Sequence, residues 1–103
     1  MLEIPSAAEI NKANFEFIEA FALNDNNKLD AALVRMMTFK PTDFTMRDVR
    51  MAAFYLYRTQ QPKRFKRLMD EVVEGIGDRY PASEKLLLNA LLEKCEENTV
   101  KLN

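Results

Sequence analysis

Apolar residues recur along most of this chain at helical intervals, the spacing that places side chains on one face of an α-helix. In the first such segment the face is formed by Ile10, Phe17 and Phe21. No stretch alternates apolar and polar residues for long enough to predict a β-strand. The pattern predicts an all-α bundle of five short helices, at about residues 7–23, 27–38, 46–59, 62–76 and 82–97.

Polar residues and a proline mark the predicted helix starts. Ser6 and Glu9 have the spacing of a capping box, in which side chain and backbone of the two residues exchange hydrogen bonds. Thr45 and Asp48 offer the same arrangement, with aspartate in place of glutamate. Pro62 suits the first turn of a helix, where its missing N–H costs nothing. The predicted starts are Ser6, Asn27, Thr45, Pro62 and Ser83.

Other residues mark the predicted helix ends. Residues 24–27, Asn-Asp-Asn-Asn, tolerate left-handed backbone geometry and compete for backbone hydrogen bonds. Pro41 disfavours helical geometry at Lys40. Gly75 and Gly77 are the two glycines of the chain, and they predict the end of the fourth helix and the turn after it.

The apolar faces predict which helix is central. The third helix is apolar on a broad front that includes Phe54, so we expect neighbours to pack on more than one side of it. The second helix and the loop after it carry Met36, Met37, Phe39 and Phe44, which could leave an apolar patch. In the last helix, the residues expected to face inward are Leu87, Leu88, Leu91, Leu92 and Cys95.

Composition narrows the class of protein. The chain is 48% hydrophobic and 30% charged, which is typical of a globular protein, and its 103 residues suit one domain, 1–103. Its single cysteine, Cys95, leaves no internal disulfide and favours a reducing compartment. The first residues lack a signal-peptide pattern, and no stretch approaches the roughly 18 apolar residues of a membrane span. We therefore expect a small soluble cytoplasmic protein that does not associate with membranes.

The available side chains argue against catalysis. The chain has no histidine, the commonest acid–base residue and metal ligand. Ser6 and Ser83, its two serines, are assigned to helix caps, and Cys95 is expected to be a buried, inert thiol. Residues 25–30 fail as a calcium loop because Leu29 replaces a ligand. An enzyme would have to rely on carboxylates and tyrosines, so we predict a non-enzyme with no cofactor and no metal site.

Charge is distributed unevenly along the chain. Net charge is −4 over residues 1–34, +6 over residues 47–67 and −4 over residues 68–103. Five basic side chains concentrate around the turn between the third and fourth helices, and we call them the basic corner: Arg58, Lys63, Arg64, Lys66 and Arg67. The candidate partner-binding residues are these five together with Arg47 and Arg50.

Three interpretations of these charges are open at this stage. The basic corner could pair with acidic helices, within the fold or in a homodimer, or it could bind another protein with an acidic surface. It could also bind nucleic acid through a helix–turn–helix-like arrangement, with Gln60, Gln61, Tyr55 and Tyr57 nearby. Acidic flanks argue against nucleic acid. We predict a helical adaptor or regulatory protein that acts by protein–protein binding, with a nucleic-acid-binding regulator as the alternative.

Overall fold

Five helices joined by short connections make up the fold. The computed structural model describes residues 4–102; it is 82% helical and has no strand in that range. The predicted all-α bundle is confirmed, and no helix in the described range is long and apolar enough to cross a membrane. The helices are α1 (Ala7–Ala22), α2 (Asn26–Met36), α3 (Met46–Arg58), α4 (62–76) and α5 (Ala82–Leu102), with 3₁₀ turns at Pro41–Asp43 and Gly77–Arg79.

Two of the predicted capping arrangements are confirmed. The Ser6 hydroxyl accepts a hydrogen bond from the Glu9 N–H at 3.2 Å. At the start of α3, the Thr45 hydroxyl accepts from the Asp48 N–H at 3.1 Å, and the Asp48 carboxylate accepts from the Thr45 N–H at 2.9 Å. Together these two bonds form a complete capping box, so the start of α3 is set by local sequence.

Two predicted boundaries and one predicted cap need correction. Helix α2 is capped by Asp25, whose carboxylate accepts from the Lys28 N–H at 3.1 Å, so it begins before Asn27. Ser83 is not a cap, because α5 already begins at Ala82 and Ser83 lies exposed in its first turn. Helix α5 also continues to Leu102, beyond the predicted end at residue 97, because no proline or glycine interrupts it.

Helices α1 and α3 end in the same way, on a residue in the left-handed conformation. At the end of α3, the Gln61 N–H donates to the Leu56 carbonyl at 2.8 Å and the Gln60 N–H donates to the Tyr57 carbonyl at 3.1 Å. These bonds form a Schellman motif with Gln60 at φ 54°. Asn24, at φ 56°, ends α1 and confirms the prediction made from its side chain.

Helix α4 is not uniform, and its two glycines have different roles. It is α-helical over Pro62–Arg67, π-helical over Leu68–Val73 and α-helical again over Glu74–Ile76. Gly77, at φ 73°, ends it as predicted. Gly75 does not end the helix: a Cβ at this position would lie 2.5 Å from Cγ of Pro41. Gly75 therefore permits close packing of the Pro41–Asp43 turn on α4.

Helix α3 lies at the centre of the bundle, as its broad apolar surface predicts. It packs against α1, α4 and α5, and Val49, Ala52 and Ala53 on it are fully buried. Two expected core residues are exposed instead, Phe54 by 42% and Leu87 by 58%. Successive helical residues are about 100° apart, and Leu87 lies that far around α5 from the fully buried Leu88, on a side that the neighbouring helices leave exposed.

Gly75→Ala tests the contact with Pro41. Glycine to alanine normally stabilises a helix interior by about 1 kcal/mol. Here we expect the free energy of unfolding to fall by about 1–3 kcal/mol, because the added methyl group overlaps the proline ring. Urea denaturation followed by circular dichroism measures the change. Adding Pro41→Gly should recover part of the loss, and a Gly75→Ala protein as stable as the original would contradict the packing.

Gln60→Gly tests the left-handed residue at the basic corner. Glycine adopts this conformation without steric cost, so we expect the free energy of unfolding to rise by about 0.5–1 kcal/mol. Asn24→Gly is the matched control, since asparagine already tolerates the same geometry and should gain less. Equal gains at both positions in thermal unfolding would show that the side chain of Gln60 imposes no special strain.

Candidate partner-binding surface

The structure places five of the seven predicted residues around the turn between α3 and α4, on two sides of α4. Arg58 ends α3, and the other four members of the basic corner lie in the first two turns of α4. Arg47 and Arg50 lie near the start of α3, roughly 12–16 Å along the helix axis from Arg58 at a rise of ~1.5 Å per residue. They belong to a different part of the surface.

Arg50 contributes to the fold rather than to a free surface. Its guanidinium forms an ion pair with the Glu84 carboxylate of α5. Tyr80 is buried nearby, and its burial raises the pKa of the phenol, with the Glu84 carboxylate adding to the rise and Arg50 opposing it. Arg50 thus connects α3 to the start of α5.

Arg64 is held by one side chain of α2 and one side chain of the turn between α3 and α4. Its guanidinium donates to the Asp30 carboxylate of α2 and, at 2.8 Å, to the side-chain carbonyl of Gln61. The buried Tyr55 hydroxyl of α3 donates to the same Asp30 oxygen at 3.0 Å. This set of side chains, which we call the polar network, connects α2, α3 and the start of α4.

The turn between α3 and α4 extends the polar network. The Gln61 side-chain amide donates to the Thr59 hydroxyl at 2.8 Å, and that hydroxyl donates to the Tyr55 carbonyl at 2.7 Å. Gln61 therefore accepts from Arg64 and donates toward α3 at once. The orientation of Arg64 is fixed by bonded neighbours on both sides.

The polar network shifts the pKa values of its acidic members. The hydrogen bond from Arg64 lowers the pKa of Asp30 below 3.8, burial partly opposes that effect, and the bond from Tyr55 lowers it further. Burial, followed by the Asp30 carboxylate, raises the pKa of Tyr55. The phenol therefore remains a hydrogen-bond donor to an ionised carboxylate at neutral pH.

The other basic side chains are held more loosely. Arg67 pairs with Glu71 at 2.6 Å and Lys66 pairs with Asp70 at 3.7 Å, both within α4. Exposed ion pairs of this i,i+4 kind contribute only about 0.3–0.5 kcal/mol. Lys63 forms no ion pair with the side chains of residues 4–100. Lys66 and Arg67 can therefore exchange their carboxylate partners with little loss of folding free energy.

Arg58 is held by a mixed set of contacts. Its guanidinium lies 5.8 Å from the ring centroid of Phe21 and donates to the Asn26 side-chain carbonyl at 3.1 Å. Neither contact neutralises its charge. Arg58 therefore contributes positive charge to the basic corner while packing on α1.

A groove lies between α2 and α4, beside the basic corner, and we call it the α2/α4 groove. Its volume is about 240 Å³. The fully buried residues Leu33, Leu56 and Leu68 contribute to its lining, together with the more exposed Val34 and Met37. Arg64 and Arg67 also line it, together with Thr38. The apolar cavity is thus bordered by two positively charged side chains.

Of the apolar patch predicted from the sequence, one residue lines this groove. Of the expected apolar patch, Met36 and Phe44 are buried and Phe39 is half-buried, while Met37 lines the groove. Val34 is 55% exposed, and no part of the apolar pattern distinguished it. The available signal was its position next to Leu33, just off the buried stripe of α2.

Two further residues singled out from the sequence are buried. Tyr55 is 3% exposed, so its ring cannot stack on a nucleic-acid base. Cys95 is 1% exposed, as expected, and burial raises the pKa of its thiol. A raised thiol pKa lowers the thiolate fraction and hence the reactivity.

Comparison with known proteins identifies no relative. No family model, curated protein or solved structure matches this chain. In residues 4–102, no group of three or more Cys, Asp or Glu side chains is placed to hold a metal ion. The basic corner and the α2/α4 groove are therefore the features from which a function can be proposed.

Asp30→Asn tests the polar network through pH. Because the folded-state pKa of Asp30 is lowered, its contribution to stability is present above about pH 4 and is lost as the pH falls through the lowered pKa. We expect Asp30→Asn to be less stable than the original at neutral pH and the difference to shrink in acid. Urea midpoints measured across the acid range check this, with Asp70→Asn as an exposed control. A difference that stays constant with pH would contradict the network.

Proposed function

We propose that this chain is a non-catalytic helical adaptor or regulatory protein that binds an acidic segment of another protein. The binding surface is the basic corner together with the α2/α4 groove. The observation that carries the proposal is the apolar cavity lined on one side by Arg64 and Arg67. Interface hot spots commonly combine an apolar anchor in a pocket with charged groups around it.

The size of the groove favours a protein side chain over a small molecule. Its volume of about 240 Å³ is below the roughly 300–1,000 Å³ typical of small-molecule and cofactor sites. A single large aliphatic or aromatic side chain is a better match. Such a side chain would cover Val34 and Met37, which are accessible to solvent in the free chain.

The charges favour an acidic partner. Lys63 has no carboxylate partner in the described residues. Arg67 has one carboxylate partner, Glu71, in an exposed ion pair within α4. Complementary charge around an apolar anchor contributes mainly to specificity and to the rate of association. An acidic segment beside the groove would meet Arg67 in the groove lining and Lys63 one helical turn before it, where Lys63 also borders the cavity that contains Lys66.

A nucleic-acid partner is less well supported. Binding of a nucleic acid requires several phosphate contacts along an extended surface. Arg64 is already bonded to Asp30, Tyr55 is buried, and carboxylates follow directly on α4 at Asp70 and Glu71. A protein segment needs only one or two charge contacts beside the groove, which these neighbours still permit.

Peptide selection by phage display on the folded chain tests the proposal. We expect selected peptides to combine Asp or Glu with a large apolar residue. Their affinity, measured by fluorescence anisotropy, should fall about tenfold or more in a Lys63→Glu/Arg67→Glu variant. Arg47→Glu is the control matched to Arg67→Glu alone, because it reverses one positive charge at the far end of α3, and it should change affinity by less than about twofold.

Two outcomes would overturn the proposal. One is a set of selected peptides with no excess of acid, or with affinity unchanged by the charge reversal. The other is tight binding to duplex DNA, single-stranded DNA or RNA with a steep salt dependence and no acidic peptide recovered. Light scattering adds a check on self-association: a dimer that the double charge reversal dissociates would make a second copy the occupant of this surface.

A further inference from the structure

Two neighbouring ion pairs on α4 have the same chemistry but different surroundings. Arg67 pairs with Glu71 and Lys66 pairs with Asp70, four positions apart in each case, with all four side chains more than half exposed. Arg67 lines the α2/α4 groove. Lys66 lies on another side of α4, where it borders a separate cavity together with Lys63 and with Glu96 of α5. Only the Arg67–Glu71 pair adjoins the apolar groove.

The two arginines of the groove differ in how strongly their side chains are fixed by neighbouring residues. Arg64 is fixed by the polar network, whose members come from three helices. Arg67 bonds to a carboxylate on its own helix, and that exposed pair contributes little to stability. A second carboxylate can therefore replace Glu71 without disturbing the bundle.

The floor of the groove carries a further irregular feature. Leu68 directly follows the two basic residues of these ion pairs. It is fully buried and begins the π-helical segment Leu68–Val73. Short π-helical segments are rare, and they occur frequently at functional sites. The irregular turn is thus part of the same groove as Arg67.

We infer, on the basis of the proposed function, that Glu71 is an intramolecular placeholder for a carboxylate of the partner. The partner segment is an amphipathic helix that places one large apolar side chain in the α2/α4 groove. Its carboxylate, three or four positions away, displaces Glu71 from Arg67. That spacing follows because side chains three and four positions apart on a helix are neighbours on one face.

Glu71→Gln tests the placeholder. Removing the competing carboxylate should tighten binding of an acidic peptide selected as above by about two- to fourfold, the range expected for one exposed ion pair. Asp70→Asn is the matched control. It removes one negative charge at the position next to Glu71, from an ion pair that lies outside the groove. It should produce less than half of that change. Replacing the peptide's acidic residues with glutamine should abolish the gain from Glu71→Gln.

Val34→Asn tests the anchor. Val34 is 55% exposed, so the variant should fold normally, while a polar side chain in the groove should weaken peptide binding about fivefold or more. Leu86→Asn is the control, since Leu86 is 73% exposed on α5 and borders neither the groove nor the cavity that contains Lys63. Replacing the peptide's large apolar residue with alanine should produce a similar loss in the original chain.

The outcomes separate this inference from the proposed function. If Lys63→Glu/Arg67→Glu abolishes binding while Glu71→Gln and Asp70→Asn act equally, the acidic-partner proposal stands and the placeholder is wrong. If Val34→Asn has no effect, the segment binds the basic corner without using the groove. If the double charge reversal leaves binding intact, the proposed function fails together with the inference.

Discussion

Burial of α3 is the constraint on which the rest of the structure depends. Its alanines, Ala52 and Ala53, are fully buried, and their small side chains allow neighbouring helices to approach closely. The capping box formed by Thr45 and Asp48 sets where this helix begins, and the left-handed Gln60 sets where it ends. Since α1, α4 and α5 all pack on α3, these local signals also determine where the basic corner lies.

The basic corner combines rigidity with exchangeable charge. Asp30 holds Arg64 against α2 and itself accepts a hydrogen bond from Tyr55 of α3, so the start of α4 has a defined position. The side chain of Arg67, on the same surface, is held by Glu71, its exposed ion-pair partner on the same helix. A binding surface benefits from this division, because the fixed residues preserve its shape while the loosely paired ones can accept a partner's charges.

The candidate site was predicted in its charges but not in its shape. Arg64 and Arg67 were identifiable from the sequence because the basic residues cluster there. Their surroundings were not, since Asp30 lies 34 positions from Arg64 and only the folded bundle brings the two together. The α2/α4 groove depends likewise on residues from three separate helices. The exposure of Val34 follows from the angle at which these helices pack, which no short-range pattern encodes.

The number of helices and most of their starts were readable from the sequence, because caps and helical periodicity act between residues three or four positions apart. Tertiary packing decided the rest. It placed Gly75 against Pro41 and left Phe54 and Leu87 exposed. It also paired Arg50 with α5, away from the basic corner, while Arg64 became part of the polar network. Each of these outcomes depends on which helices become neighbours, and that is a property of the whole core.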